Sequence, residues 1–345
     1  MIVRNEASVL PATLSSLEPL RERAELVVVD TGSTDATIAI LEAAGARVIQ
    51  DPWRDDFSYS RNRAFQEAQG DYALVLDADE RLEPESIPKL LAFAEKGQYD
   101  RGLARVIDET DEGLTEQIQV RVCRGDGNHK YIGRIHEQLV GPGTAGATGL
   151  VIRHVGYKTE EIARKDKLAR NARLIRAELT ERPDDAYLHY QLARTLVRQD
   201  PLASLDVFAR AVSTAPNDAG FLPSAVREYG HALRAAGRPA DARTMLAPWL
   251  TRFSDFTDLW FLDGLLALDL GDAHGMLAAF NRCIALGETS RYSTVKGVGS
   301  FRAHHNLGLF FELLGDRTRA SQHYEQALAT NASFAPTLER LSALR

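Results

Sequence analysis

Two aspartates, Asp77 and Asp79, close the apolar run Tyr72-Ala73-Leu74-Val75-Leu76 with a single alanine between them. Residues two apart on an extended segment point to the same side, so their carboxylates can converge. Oxygen ligands of this kind suit a hard divalent cation, Mg2+ or Mn2+, which also takes diphosphate oxygens. The plainer alternative is an acidic turn after a strand. A third acid, Asp30, ends the earlier run Leu26-Val27-Val28-Val29.

These acids depend on the elements that carry them. Leu26–Val29 is a short, continuous β-branched run and reads as a strand buried on both faces. Thr34 to Ala44 reads as a helix with Ile38 and Leu41 on its apolar side and Gly45 as its stop. Arg47-Val48-Ile49 reads as a strand, Ala64 to Gln69 as a helix, and Tyr72–Leu76 as a third buried strand. Such alternation means βαβ units and a mostly parallel, Rossmann-like α/β sheet. Ligands of such sheets sit beyond the carboxyl ends of the strands. Asp30 and the Asp77–Glu80 cluster both fall there. From about Ala104 to Gly156, Arg105–Ile107, Gln119–Val122 and Gly149–Ile152 read as further strands that complete the sheet and close over the site.

After Tyr157 the texture changes to helix. Lys158 to Glu181 reads as a connecting helix with Leu168, Ala172, Ile175 and Leu179 along one face, ended by Pro183. Then the chain repeats itself. Gly230 and Gly264 lie 34 residues apart, and Gly308 follows after 44, with Glu288–Phe301 as an insertion. Around them recur Phe280 and Cys283, then Phe311, Ala320, Tyr324 and Ala327, while Tyr187–Pro216 supplies an earlier copy. This spacing resembles the tetratricopeptide repeat, with four units of paired helices. Small residues let the helices approach closely and the aromatics fill the gaps.

Composition excludes several classes. With 345 residues the chain is predicted to hold two domains. Apolar residues make up 44% and charged residues 26%, which rules out a disordered or fibrous chain. A net charge of −7 gives no basic footprint for nucleic acid. Cys123 and Cys283 cannot form a disulfide framework, so a reduced, cytoplasmic setting is expected. No segment approaches the ~20 apolar residues of a membrane span, and no signal-peptide core follows Met1. No Gly-x-Gly-x-x-Gly follows the early strands, against a dinucleotide-dependent oxidoreductase.

Four motifs stand in order in the first half: Ile2-Val3-Arg4-Asn5-Glu6, Val28-Val29-Asp30-Thr31-Gly32-Ser33-Thr34-Asp35, Arg61-Asn62 and Leu76-Asp77-Ala78-Asp79-Glu80. Together they resemble the family-two inverting glycosyltransferases of GT-A fold, over residues 1–157. Among these the layout is similar to bacterial members with appended tetratricopeptide repeats, including the glycocin peptide S-glycosyltransferases. The resemblance implies a catalytic domain over 1–157, a connecting helix over 158–183 and an all-α repeat solenoid over 184–345. It implies a nucleotide-sugar donor, with UDP as the nucleotide, and Mn2+ or Mg2+ on Asp77, Asp79 and His154. His154 has a purely structural strand histidine as its alternative. Asp30 would accept from the nucleotide base, and Asn5, Asp77 and Arg61 would also line the donor pocket, Arg61 through its planar fork. Asp35 of the same motif is also placed in the donor site, with a helix N-cap as its plainer alternative. An inverting transfer needs one general base. The matching site is Gly133-Arg134-Ile135-His136-Glu137, where His136-Glu137 replaces the family's usual Glu-Asp pair. Glu137 is the expected base and His136 its neighbour or acceptor contact, with a buried, satisfied histidine as the alternative for His136. The family's first strand normally begins several residues before Ile2, so either this strand is short or the natural start lies upstream of Met1.

A peptide or protein acceptor held by the repeats fits the concave surface of a solenoid. The repeats could equally pair two copies of the chain. Alternatives are a saccharide or lipid-linked acceptor in envelope or lipopolysaccharide assembly, and a non-catalytic scaffold, which the intact Asp77/Asp79 pair opposes.

Overall fold

A computed structural model describes residues 1–110, 113–154, 161–289 and 291–344. The chain divides into two compact units, Met1–Glu178 and Leu179–Arg345.

The first unit alternates strand and helix: β1 (Ile2–Val3), α1 (Leu10–Leu17), β2 (Val27–Asp30), α2 (Thr37–Ala43), β3 (Arg47–Gln50), α3 (Phe57–Glu67) and β4 (Tyr72–Leu74). β1, β2 and β3 form a parallel sheet in that order, with Val3 opposite Asp30 and Asp30 opposite Gln50. The all-apolar Val27-Val28-Val29 run is buried throughout, as a central parallel strand requires. Leu10 of α1 and Leu41 of α2 pack on Val28 from the same core.

The remaining strands build a mixed sheet. They are β5 (Glu80–Leu82), then, after α4 (Ile87–Lys96), β6 (Arg101–Thr110), β7 (Gly113–Arg124), β8 (Lys130–Ile132), β9 (Gln138–Val140) and β10 (Ala145–His154). Their order is β4-β7-β6-β10-β5, with β8 and β9 as a separate hairpin. In this sheet β6 and β10 pair parallel, while β4–β7, β6–β7 and β10–β5 are antiparallel, so the mostly parallel pattern expected for the whole unit holds for the first three strands and this one pair. Ile87, Leu90 and Phe93 of α4 cover it, packed on Val106, Val122 and Ile152. Leu76 belongs to this core and Ala78 to the core of the parallel sheet. The segment carrying Asp77 and Asp79 is therefore anchored on both sides.

α3 starts at Phe57, seven residues before the helix expected at Ala64, because Asp56 caps it by accepting from the Tyr59 amide. The connecting helix is α5 (Glu161–Glu181), with Ala172 and Ile175 on its buried face. Tyr157 and Lys158, where the change of texture was placed, lie outside the described residues.

The second unit holds four antiparallel helix pairs: α6 (Ala186–Leu196) with α7 (Pro201–Thr214), α8 (Leu222–Ala235) with α9 (Pro239–Arg252), α10 (Thr257–Asp269) with α11 (Ala273–Leu286), and α12 (Phe301–Leu313) with α13 (Arg317–Thr330). A last helix, α14 (Ala335–Leu344), packs on α13. The glycines do what their spacing suggested. A Cβ on Gly264 would lie 2.8 Å from the Phe280 ring, one on Gly230 2.6 Å from Leu262, and one on Gly308 would strike Tyr324. This is a tetratricopeptide-type solenoid. None of its helices is long and apolar enough to cross a membrane, nor is any other described helix.

Candidate active site

Asp30 ends β2 only 2% exposed. Its Oδ1 accepts from the amides of Gly32 and Ser33, both at 3.0 Å, which folds the following loop. Its Oδ2 is buried without a protein partner. A buried carboxylate oxygen left unpaired is costly, so it marks a place where a ligand donor fits.

Asn5 and Asp35 shape that same loop. Asn5 adopts φ 57°, donates its amide to Ser33 and accepts from Thr34 N at 2.7 Å. Asp35 accepts from the amides of Thr37 and Ala7 at 3.0 and 3.2 Å. The carboxylate of Asp35 thus ties the start of α2 to the β1–α1 loop, although Ala36 rather than Asp35 is the N-cap of α2.

Asp77 to Glu80 form a turn, not an extended segment. Glu80 N donates to the Asp77 carbonyl at 3.2 Å, and Asp77 N donates to Glu80 Oε2 at 2.9 Å. The turn sends the two aspartates to different partners. Asp77 Oδ1 takes the Arg61 guanidinium at 2.8 Å, with Arg121 at 3.9 Å from Oδ2. Burial disfavours its charge, but Arg61 and Arg121 outweigh that and hold its pKa down at about 2. Asp79 Oδ2 instead meets His154 Nε2 at 3.1 Å. That hydrogen bond, against the cost of burial and helped by Asp108, raises the His154 pKa to about 9.

Arg61 is the hub on the other side. Its Nε donates to Glu137 Oε1 at 2.5 Å, its Nη2 reaches Asp77, and it lies over the Tyr131 ring at 5.4 Å. Burial opposes its charge, and Asp77 and Glu137 overcome that and raise its pKa. The polar face of α3 holds it there. Asn62 pairs with the backbone of Tyr131 through both its amide groups, at 2.9 and 2.7 Å, and Ser58 donates to the Gly133 carbonyl. Phe57 N donates to the Arg134 carbonyl, while Glu178 accepts from Arg134 N at 3.0 Å. His136 follows in the same loop with φ 53° and an exposed side chain. It is not the buried histidine that was the alternative.

Two residues of the site had not been singled out. Arg121, buried on β7, donates to Glu80 and faces Asp77. Burial and the charge of Asp77 push the Glu80 carboxyl up, against the pull of Arg121. Asp108 of β6 meets His154 Nδ1 at 2.8 Å. Each carried a signal: Arg121 is a charge among apolar strand residues, and Asp108 directly follows the Arg105–Ile107 run, as Asp30 follows its own.

Besides Asp30 Oδ2, Arg61 Nη1 and Arg121 Nε are buried without partners here. Among the described residues no three His, Cys, Asp or Glu side chains converge on one point. Asp79 and His154 form a two-residue donor pair. Their 3.1 Å separation matches the edge of about 3 Å between adjacent ligands of an octahedral ion with bonds near 2.1 Å. Two protein ligands, with the rest from phosphate and water, is the habit of such ions. A separate cavity of about 1100 Å3, lined by Leu14, Leu26, Phe65, Leu74 and Leu91, touches Arg61 but not Asp30, Asp77, Asp79, Glu137 or His154.

Residues 1–149 match Glycosyl transferase family 2. A TPR repeat-containing protein of Synechococcus elongatus is 36% identical over 219 residues, covering 59% of this chain and 52% of its own. The SPbeta prophage-derived glycosyltransferase SunS of Bacillus subtilis is 26% identical over 194 residues, 54% of this chain and 45% of its own. The lipopolysaccharide core biosynthesis glycosyltransferase LpsC of Rhizobium meliloti is 31% identical over 159 residues, 42% of this chain and 57% of its own. The chain spans about half the length of the curated relatives it matches. Among solved structures, that of MamA aligns over 52% of this chain at 18% identity with a TM-score of 0.42. The amino-terminal unit of this chain matches Glycosyl transferase family 2 over residues 1–149 and is followed by a tetratricopeptide-type repeat unit.

Proposed function

We propose that the chain is a metal-dependent, inverting glycosyltransferase that moves a sugar from a UDP-linked donor to an acceptor. The observation that carries it is the Asp79–His154 donor pair, 3.1 Å apart, inside a family-two domain. The unpaired Oδ2 of Asp30 would accept the imide N–H of a uracil base. Asp79 and His154 would hold Mn2+ or Mg2+, which neutralises charge on the departing diphosphate. Asp77 does not join them; held between Arg61 and Arg121, it fixes both guanidiniums beside the donor. Glu137 is the base, held at a set position by Arg61 Nε, and takes the acceptor proton as the acceptor attacks. His136, exposed on the same loop, contacts the acceptor. A peptide or protein is the acceptor that a repeat solenoid serves best. The likeness to LpsC favours a saccharide acceptor as the second reading.

A thermal shift tests the donor and metal sites together. Mn2+ with UDP should raise the melting temperature of the wild type; a ligand at 100 times its Kd stabilises by about 2.7 kcal/mol. Asp79→Ala should lose the Mn2+-dependent part. An equal rise in both proteins would show that Asp79 holds no metal.

A further inference from the structure

His154 is the last residue of β10, the strand between β6 and β5. The register places Asp108 opposite it on one side and Glu80 on the other. Its two ring nitrogens point to different acids, Nε2 to Asp79 at 3.1 Å and Nδ1 to Asp108 at 2.8 Å. Asp108 is itself held: its second oxygen accepts from the Gln117 side-chain amide at 2.5 Å. Gln117 on β7, Asp108 on β6 and His154 on β10 thus form a hydrogen-bonded row across three adjacent strands.

A histidine binds a metal only through an unprotonated nitrogen, and in the neutral ring the other nitrogen carries the proton. A carboxylate at Nδ1 selects the tautomer in which Nδ1 donates and the Nε2 lone pair faces outward, and it restrains ring rotation. Here the nitrogen so exposed is the one directed at Asp79.

We infer that Asp108 is the positioning residue that holds His154 with Nε2 toward Asp79, and that it thereby sets the affinity of the pair for a divalent cation. The inference rests on the metal reading proposed above. Asp108 does not touch the cation; it acts through His154. A merely structural role predicts something different. Loss of Asp108 would then loosen the β6–β10 pairing and lower the melting temperature without a specific effect on metal binding.

The test titrates Mn2+ into the full chain with UDP present, following the loss of the free-ion signal by electron paramagnetic resonance. Asp108→Asn and Asp108→Ala should each weaken Mn2+ binding by about 10- to 100-fold. In the His154→Ala background the same substitutions should change nothing further. Bound Mn2+ should also show a 14N coupling in the wild type that His154→Ala abolishes and Asp108→Asn weakens. If Asp108→Ala does not fold, Asp108→Asn, of the same shape, carries the comparison. Wild-type affinity in the Asp108 variants overturns the inference and leaves the metal reading standing. So does an equal loss with and without His154. A wild type that binds no Mn2+ with UDP overturns both.

Discussion

Arg61 ties Glu137 to Asp77, so one guanidinium sets the position of both the expected base and a donor-site acid. A carboxylate held by a guanidinium is well aimed, and aim matters when a proton must leave along one line. Glu137→Gln keeps an oxygen that can accept from Arg61 Nε, so the loop should stay in place. UDP binding should be unchanged, while transfer falls by about 10²- to 10⁴-fold. Turnover near the wild-type rate would remove Glu137 as the base. One rule made part of this scale legible: it placed an acid at the carboxyl end of a buried strand, and Asp30 ends β2 there with its Oδ2 unpaired. The separation of Asp77 from Asp79 was not legible. Spacing alone assumed an extended backbone, whereas the Asp77–Glu80 turn and the arginines on α3 and β7 divide the two acids between separate partners.

α3 shows why some elements escaped a reading by apolar period. The face it buries is polar: Ser58 and Ser60 are buried, Ser58 and Asn62 bond the 131–133 backbone, and Arg61 enters the site. A hydrophobic pattern could find only its last turns. α4 went unread although its buried face is apolar, with Ile87, Leu90 and Phe93 inside. The repeat helices are the opposite case, because glycine and aromatic residues recur where helix meets helix. Those glycines make a direct prediction. Gly308 faces Tyr324, which is fully buried and donates its hydroxyl to Glu312. Gly308→Val should force the α12–α13 pair apart and destabilise the repeat unit by about 1–3 kcal/mol, read as a lower melting temperature. An unchanged melting temperature would mean that the close approach of these two helices is not needed.

For the molecule as a whole, a unit similar to Glycosyl transferase family 2 and a repeat unit lie on one chain, and the excess of acid includes the groups of the proposed site. Asp30, Asp79, Asp108 and Glu137 belong to the proposed site, and Asp77 and Glu80 pair with the buried Arg61 and Arg121. The change of texture near residue 157 separated the halves in the sequence; the contact boundary falls further on, inside α5. The donor half is open to a direct measurement: release of nucleoside diphosphate by the full chain from a panel of nucleotide sugars, with Mn2+ and with a chelator. The account predicts release from a UDP-linked donor that stops on chelation and in Asp79→Ala. Release from no donor, or release that continues unchanged without metal, would contradict it.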